Sequence, residues 1–128
     1  MAHNILIVDD STIVRKSLRK ALALLAIDLG EVFEASNGKE ALEVVSKHAL
    51  DLVFLDLNMP IMTGMEFIKI VRDDKLLDNT PIVILSTEGS EIRSRELAQL
   101  GVAKQLRKPA RPEALTEVIT DIFDEGKE

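Results

Sequence analysis

Along this chain, short unbroken apolar runs alternate with longer stretches in which apolar residues recur every third or fourth position. Ile5-Leu-Ile-Val8, Leu52-Val-Phe-Leu55 and Pro81-Ile-Val-Ile-Leu85 are runs of the first kind. Bounded by turn residues, such runs read as strands buried on both faces of a parallel sheet. Glu31-Val-Phe-Glu-Ala35 reads as another strand, and Ala103 to Arg107 as a weaker one. Between them lie helical stripes. Ser11 can cap a helix with Val14, Leu18, Ala21, Leu22 and Leu25 on one face, and Gly30 closes that unit. Asn37-Gly38 is a turn signal before a helix from Lys39 to His48, and another helix runs from near Met65 to Asp73. A helix from about Glu91 to Leu100 stops at Gly101. Pro112 suits the first turn of a last helix carrying Leu115, Val118, Ile119 and Ile122.

Five successive strand-helix units, with no linker or repeat between them, predict an α/β fold: a doubly wound five-stranded parallel sheet with helices on both faces. The runs reaching Asp10, Asp56 and Ser86 are the most apolar and belong in the centre. The strand with Lys104, Gln105 and Arg107 is polar enough for an edge. Residues 1–128 read as a single domain, with 125–128 a frayed tail and His3 a frayed start.

The strand ends carry the chemistry. Asp9-Asp10, Asp56, Ser86 and Lys108 each follow or close a strand, so a parallel sheet places them on one edge, where ligands of open α/β sheets bind. Adjacent strands lie about 4.8 Å apart, close enough for these groups to share a pocket. Two carboxylates roughly 5 Å apart repel by about 3 kcal/mol at an effective dielectric near 20. One acid must therefore be protonated, or a cation must sit among them. An all-oxygen site without His or Cys suits a hard ion such as Mg²⁺. Cations around one carboxylate suit nucleophilic attack on a phosphoryl group, with Asp56 the nucleophile. Each residue alone also has a plain structural reading. Acids favour a helix start, Ser86 can cap a turn, and Lys-Pro by itself means little. The combination at equivalent strand ends is what favours chemistry.

Composition narrows the field. The net charge of −6 argues against general nucleic-acid binding, which needs a basic footprint. The chain has no Cys, Trp or Tyr, so disulfides, thiolate metal sites and Trp or Tyr stacking platforms are excluded. No apolar run reaches membrane-spanning length, and the start lacks a signal-peptide layout, which points to a cytoplasmic protein.

Val8-Asp9-Asp10, Leu55-Asp56-Leu-Asn-Met-Pro60, Gly64, Pro81 to Ser86 and Lys108-Pro109 resemble the motifs of response regulator receiver domains, closest to the stand-alone chemotaxis type. The resemblance covers essentially the whole chain. It implies the flavodoxin-like strand order 2-1-3-4-5 and a histidine kinase as phosphodonor to Asp56. It also implies Mg²⁺ held by Asp10, Asp56 and the Asn58 carbonyl, with Asp9 acting through water. Lys108 corresponds to the lysine on the phosphoryl group and Ser86 to the switch hydroxyl, and Lys108-Pro109 is a candidate cis peptide. Such a protein is not an enzyme beyond its own phosphorylation and dephosphorylation. Asn58 and Glu88 occupy positions that resemble those tuning the latter, and by that resemblance the pair implies rapid decay.

Three positions depart from the family pattern. Gln105 stands where an aromatic is usual, Thr87 where Ala or Gly is, and Ala110 where Phe is common. None of these touches the phosphorylation chemistry; they bear on how the signal reaches the output face. Arg93, Arg95, Lys104, Arg107 and Arg111 gather in that segment. They read equally as a surface for an acidic protein partner and as a solvated edge. Rival readings are a pseudo-receiver that binds without phosphorylation and a small phosphohydrolase with an aspartate nucleophile. The latter needs a general acid where Asn58 stands. A flavodoxin-like cofactor carrier lacks its Gly-rich loop after Val8. His48, near a helix end, is a dipole partner when charged, and Met59, Met62 and Met65 read as loop packing.

Overall fold

In the computed structural model, residues 2–25, 27–87 and 91–123 are described, the side chains of 91 and 92 excepted. The strands are β1 (His3–Val8), β2 (Leu29–Ala35), β3 (Leu52–Asp56), β4 (Ile82–Ser86) and β5 (Lys104–Arg107). The helices are α1 (Thr12–Ala23), α2 (Gly38–Lys47), α3 (Gly64–Asp73), α4 (Glu91–Gln99) and α5 (Pro112–Phe123). All strand pairs are parallel, in the order β2-β1-β3-β4-β5. The most apolar strands are central, and polar β5 is an edge, as the sequence pattern predicted.

Alternation along each strand divides the core in two. Leu6, Val8, Val53, Leu55, Ile82 and Ile84 face one side, against Phe67, Ile68 and Val71 of α3 and Leu97 of α4. Ile5, Ile7, Leu52, Phe54, Val83 and Leu85 face the other, against Leu18 and Leu22 of α1 and Leu115, Val118 and Ile119 of α5. Each fully buried side chain of this kind contributes roughly 1.5–3 kcal/mol, so β3, buried throughout, is clamped by both layers.

Local signals set the helix starts. Ser11 accepts from the Val14 N–H, and Asn37 from the Glu40 N–H. Thr63 and Glu66 form a reciprocal capping box at the head of α3. That head lies hard against the end of β3: a Cβ on Gly64 would clash with the Asp56 carbonyl and stand 2.8 Å from Leu57 Cα. Only glycine fits there.

Several expectations need correction. Gly30 does not close the first unit but lies within β2, where a Cβ would run into the Asn4 side chain that accepts from the Glu31 N–H. His3 is no frayed end. It opens β1, donates its backbone N–H to Asp28 and stacks on Phe123 with ring centroids 3.9 Å apart. His48 does stand at the C-terminal end of α2, where the sequence put it, and also stacks on Phe33 at 4.3 Å. β4 starts one residue after Pro81, which has no N–H for the ladder. The tail at 125–128 and Glu88 lie outside the described residues. No helix among the described residues is long and apolar enough to cross a membrane.

Candidate functional site

The carboxyl ends of β1, β3, β4 and β5 bring the candidate residues to one rim of the sheet. Carboxylate oxygens of Asp9, Asp10 and Asp56 all lie within 4.8 Å of one another. The Lys108 ammonium donates to Asp9 Oδ2 at 2.6 Å and stands 3.5 Å from Asp56 Oδ1. Backbone pairing aims Lys108 there, because its N–H continues the β4–β5 ladder by donating to the Ser86 carbonyl at 2.9 Å. The Lys108–Pro109 peptide is cis.

Burial separates the three acids. Asp9 and Asp56 are 1 % and 4 % exposed, whereas Asp10 is exposed. Asp9 is fully engaged: Oδ1 accepts from the Ser11 N–H, Oδ2 from Lys108, and its backbone carbonyl from Arg15. Asp56 Oδ1 accepts from the Asn58 N–H at 3.3 Å. Burial pushes the Asp56 pKa above the ordinary carboxylate value and the Asp9 charge adds to this, against the opposing pull of Lys108 and the Asn58 N–H. Burial alone would lower the Lys108 pKa, but its hydrogen bond to Asp9 and the charges of Asp56 and Asp9 raise it. The donor set is therefore all oxygen, anionic and crowded, with one fixed ammonium on one side. Two buried carboxylates against a single lysine leave negative charge uncompensated, which fits a small hard divalent cation.

Ser86 is 4 % exposed at the end of β4, and Thr87 beside it is exposed. Thr87 and Lys108 open onto an apolar groove of about 710 Å³ between α1 and α5, walled by Ile13, Leu24, Leu25 and Leu115. Met59 is buried, and Met62 and Met65 are partly buried against the core layer that contains Phe67 and Ile68. Arg93 and Arg95 lie on α4, Lys104 and Arg107 on β5, and Arg111 just before α5. Lys104 faces Asp121 at 3.9 Å. Gln105 bonds across to α4: its amide donates to the Ser94 carbonyl and its oxygen accepts from the Ser94 hydroxyl.

Residues 5–120 match the family model of the response regulator receiver domain. The chain belongs to that family. This receiver domain is 33% identical over 123 residues to a chemotaxis protein CheY homolog of Campylobacter jejuni, covering 95% of this chain and 93% of that one. It is 34% identical to chemotaxis protein CheY1 of Helicobacter pylori, covering 88% and 90%. The solved structure of chemotaxis protein CheY4 of Vibrio cholerae superposes on the receiver with a TM-score of 0.85 at 35% identity, covering 95% of this chain and 99% of that one.

Sequence reasoning brought the right strand ends together but missed Arg15 and Glu34. Arg15 bonds both the Asp9 carbonyl and Glu34 on β2. No spacing rule signals a contact between a helix and the strand that follows it, so neither residue stood out.

Proposed function

We propose that this receiver domain, acting as one unit over residues 1–128, accepts a phosphoryl group on Asp56 from the phosphohistidine of a sensor kinase. The observation that carries this reading is the placement of Lys108 between Asp9 and Asp56, with the Asp10 carboxylate beside them. An Asp56 carboxylate oxygen attacks phosphorus. The O–P bond forms as the N–P bond breaks, and the electron pair returns to the imidazole nitrogen, leaving a neutral ring when the other nitrogen carries its proton. Lys108 neutralises charge on the transferring oxygens. Asp10, Asp56 and the Asn58 carbonyl would hold Mg²⁺, with Asp9 acting through water, and the ion would supply further charge neutralisation. Ser86, buried at the end of β4, would bond the new phosphoryl oxygens once they form. Asp9 keeps Lys108 aimed at the pocket.

The chain is a signalling domain rather than an enzyme that turns over a separate substrate. Its output is a change in a protein-binding surface around Arg93, Lys104, Arg107 and Arg111, with no nucleic-acid or membrane step. A chemotaxis pathway is supported by the names of its relatives. The test is intact-mass analysis after incubation with acetyl phosphate and Mg²⁺. Wild type gains one phosphoryl group and Asp56→Ala gains none. Equal labelling of both proteins overturns the assignment.

A further inference from the structure

We infer that Arg15 is a positioning residue for the metal site, acting on Asp10 through the peptide bond between Asp9 and Asp10. This rests on the Mg²⁺ reading above and adds a residue to it. Asp9 is pinned at every polar atom, but the Asp10 carboxylate has no hydrogen-bond or ion-pair partner among the described residues. Its direction is therefore set by its backbone. The Asp9 carbonyl oxygen belongs to the peptide plane that leads into Asp10, and Arg15 Nη1 donates to that oxygen at 2.5 Å. Holding the oxygen fixes the rotation of the plane, and with it the bearing of the Asp10 side chain toward Asp56.

The guanidinium is itself held. Its Nε donates to Glu34 Oε1 at 2.9 Å, and Nη2 reaches Thr12 Oγ1 at 3.3 Å. Glu34 in turn is shared: Arg19 Nε donates to its second oxygen at 2.9 Å. Burial would raise the Glu34 pKa, but these hydrogen bonds from Arg19 and Arg15 bring it below the ordinary value, so the clamp stays charged. The planar fork of arginine suits this task, since one side chain spans a carbonyl and a carboxylate at once.

Arg19 provides the matched control. It bonds Glu34 and the Val32 carbonyl but not Asp9. Calorimetric titration of Mg²⁺ into the full chain, beside thermal melts, compares wild type, Arg15→Met and Arg19→Met. Removing a cation near an acidic site tightens metal binding by electrostatics alone, so lost positioning and lost charge give opposite signs. The expected result is Mg²⁺ binding on the order of tenfold weaker in Arg15→Met, the size seen when partners behind a ligand are removed. Arg19→Met, which leaves the Arg15 bond to the Asp9 carbonyl in place, binds Mg²⁺ markedly more tightly than Arg15→Met does, although both variants lose stability. Arg15→Lys keeps the charge but offers one ammonium in place of the fork. It replaces Arg15→Met if that variant does not melt cooperatively, with the same expectation. Unchanged or tighter binding in the Arg15 variant, or equal weakening in both, overturns the inference while leaving the metal site intact. Absence of Mg²⁺ binding by wild type overturns the metal site, and the inference with it.

Discussion

Replacing Asp56 by Asn should stabilise the metal-free protein. The carboxylate is 4 % exposed. Its attraction to Lys108 at 3.5 Å is worth about 4.7 kcal/mol at an effective dielectric near 20. Against that stands repulsion from Asp9, at least about 3.5 kcal/mol on the same scale for oxygens within 4.8 Å. Exposed Asp10, also within 4.8 Å, adds at least about 0.9 kcal/mol at the dielectric of water. These nearly cancel, so the cost of taking the charge out of water decides the sign, in agreement with the raised pKa of Asp56. Asn keeps the shape and removes the charge, and a gain of about 1–2 kcal/mol is expected. In a domain of this size that is about 4–8 °C in Tm. Because folding raises this pKa, the penalty is fully present above the folded-state pKa. It fades as the pH falls through that value toward the ordinary carboxylate range, so the gap between variant and wild type should close on acidification. Mg²⁺ at ten times its Kd should then stabilise wild type by about 1.4 kcal/mol and leave Asp56→Asn nearly unmoved. Melts in EDTA and in Mg²⁺ give both comparisons. An Asp56→Asn protein no more stable than wild type in EDTA at neutral pH, or an equal Mg²⁺ response in both, refutes the reasoning.

Lys108→Met strands two buried carboxylates and should cost about 2–3 kcal/mol without metal. Since folding raises the Lys108 pKa, its contribution is complete below the unfolded value and vanishes as the pH rises through the folded one. Urea melts of variant and wild type should therefore converge in strong alkali. Gly64→Ala pushes a methyl into the Asp56 carbonyl and the Leu57 backbone, so a loss of about 3 kcal/mol with weakened Mg²⁺ binding is expected from melts and titration. Ile61 is a β-branched residue at φ 70 in a three-residue turn closed by Met62 N–H to the Pro60 carbonyl. Its side chain is 76% exposed, so Ile61→Gly should gain about 1 kcal/mol in a denaturant melt by relieving that strain.

Position 105 illustrates the limit of pattern reading. Gln105 departs from the family's aromatic position, and the sequence alone left its role open. In the fold it reaches across the β5 edge to both the hydroxyl and the carbonyl of Ser94. Basic residues nearby were legible as a cluster, but whether each has a partner depends on α4 and α5, as the approach of Lys104 to Asp121 shows.

The chain by itself determined the five units, the central strands and the rim on which Asp9, Asp10, Asp56, Ser86 and Lys108 meet. Apolar runs, caps and turn residues are local, and a parallel sheet turns local order into a shared edge. Only the tertiary structure decided which acid is buried and which is exposed. Asp9 and Asp10 are neighbours of identical chemistry, yet one is buried against Lys108 from 99 residues away and the other faces water. Burial and long-range partners set the energy of a charge, and neither is a property of adjacent residues. The same holds for Arg15 and Glu34, which meet only because α1 packs beside β2.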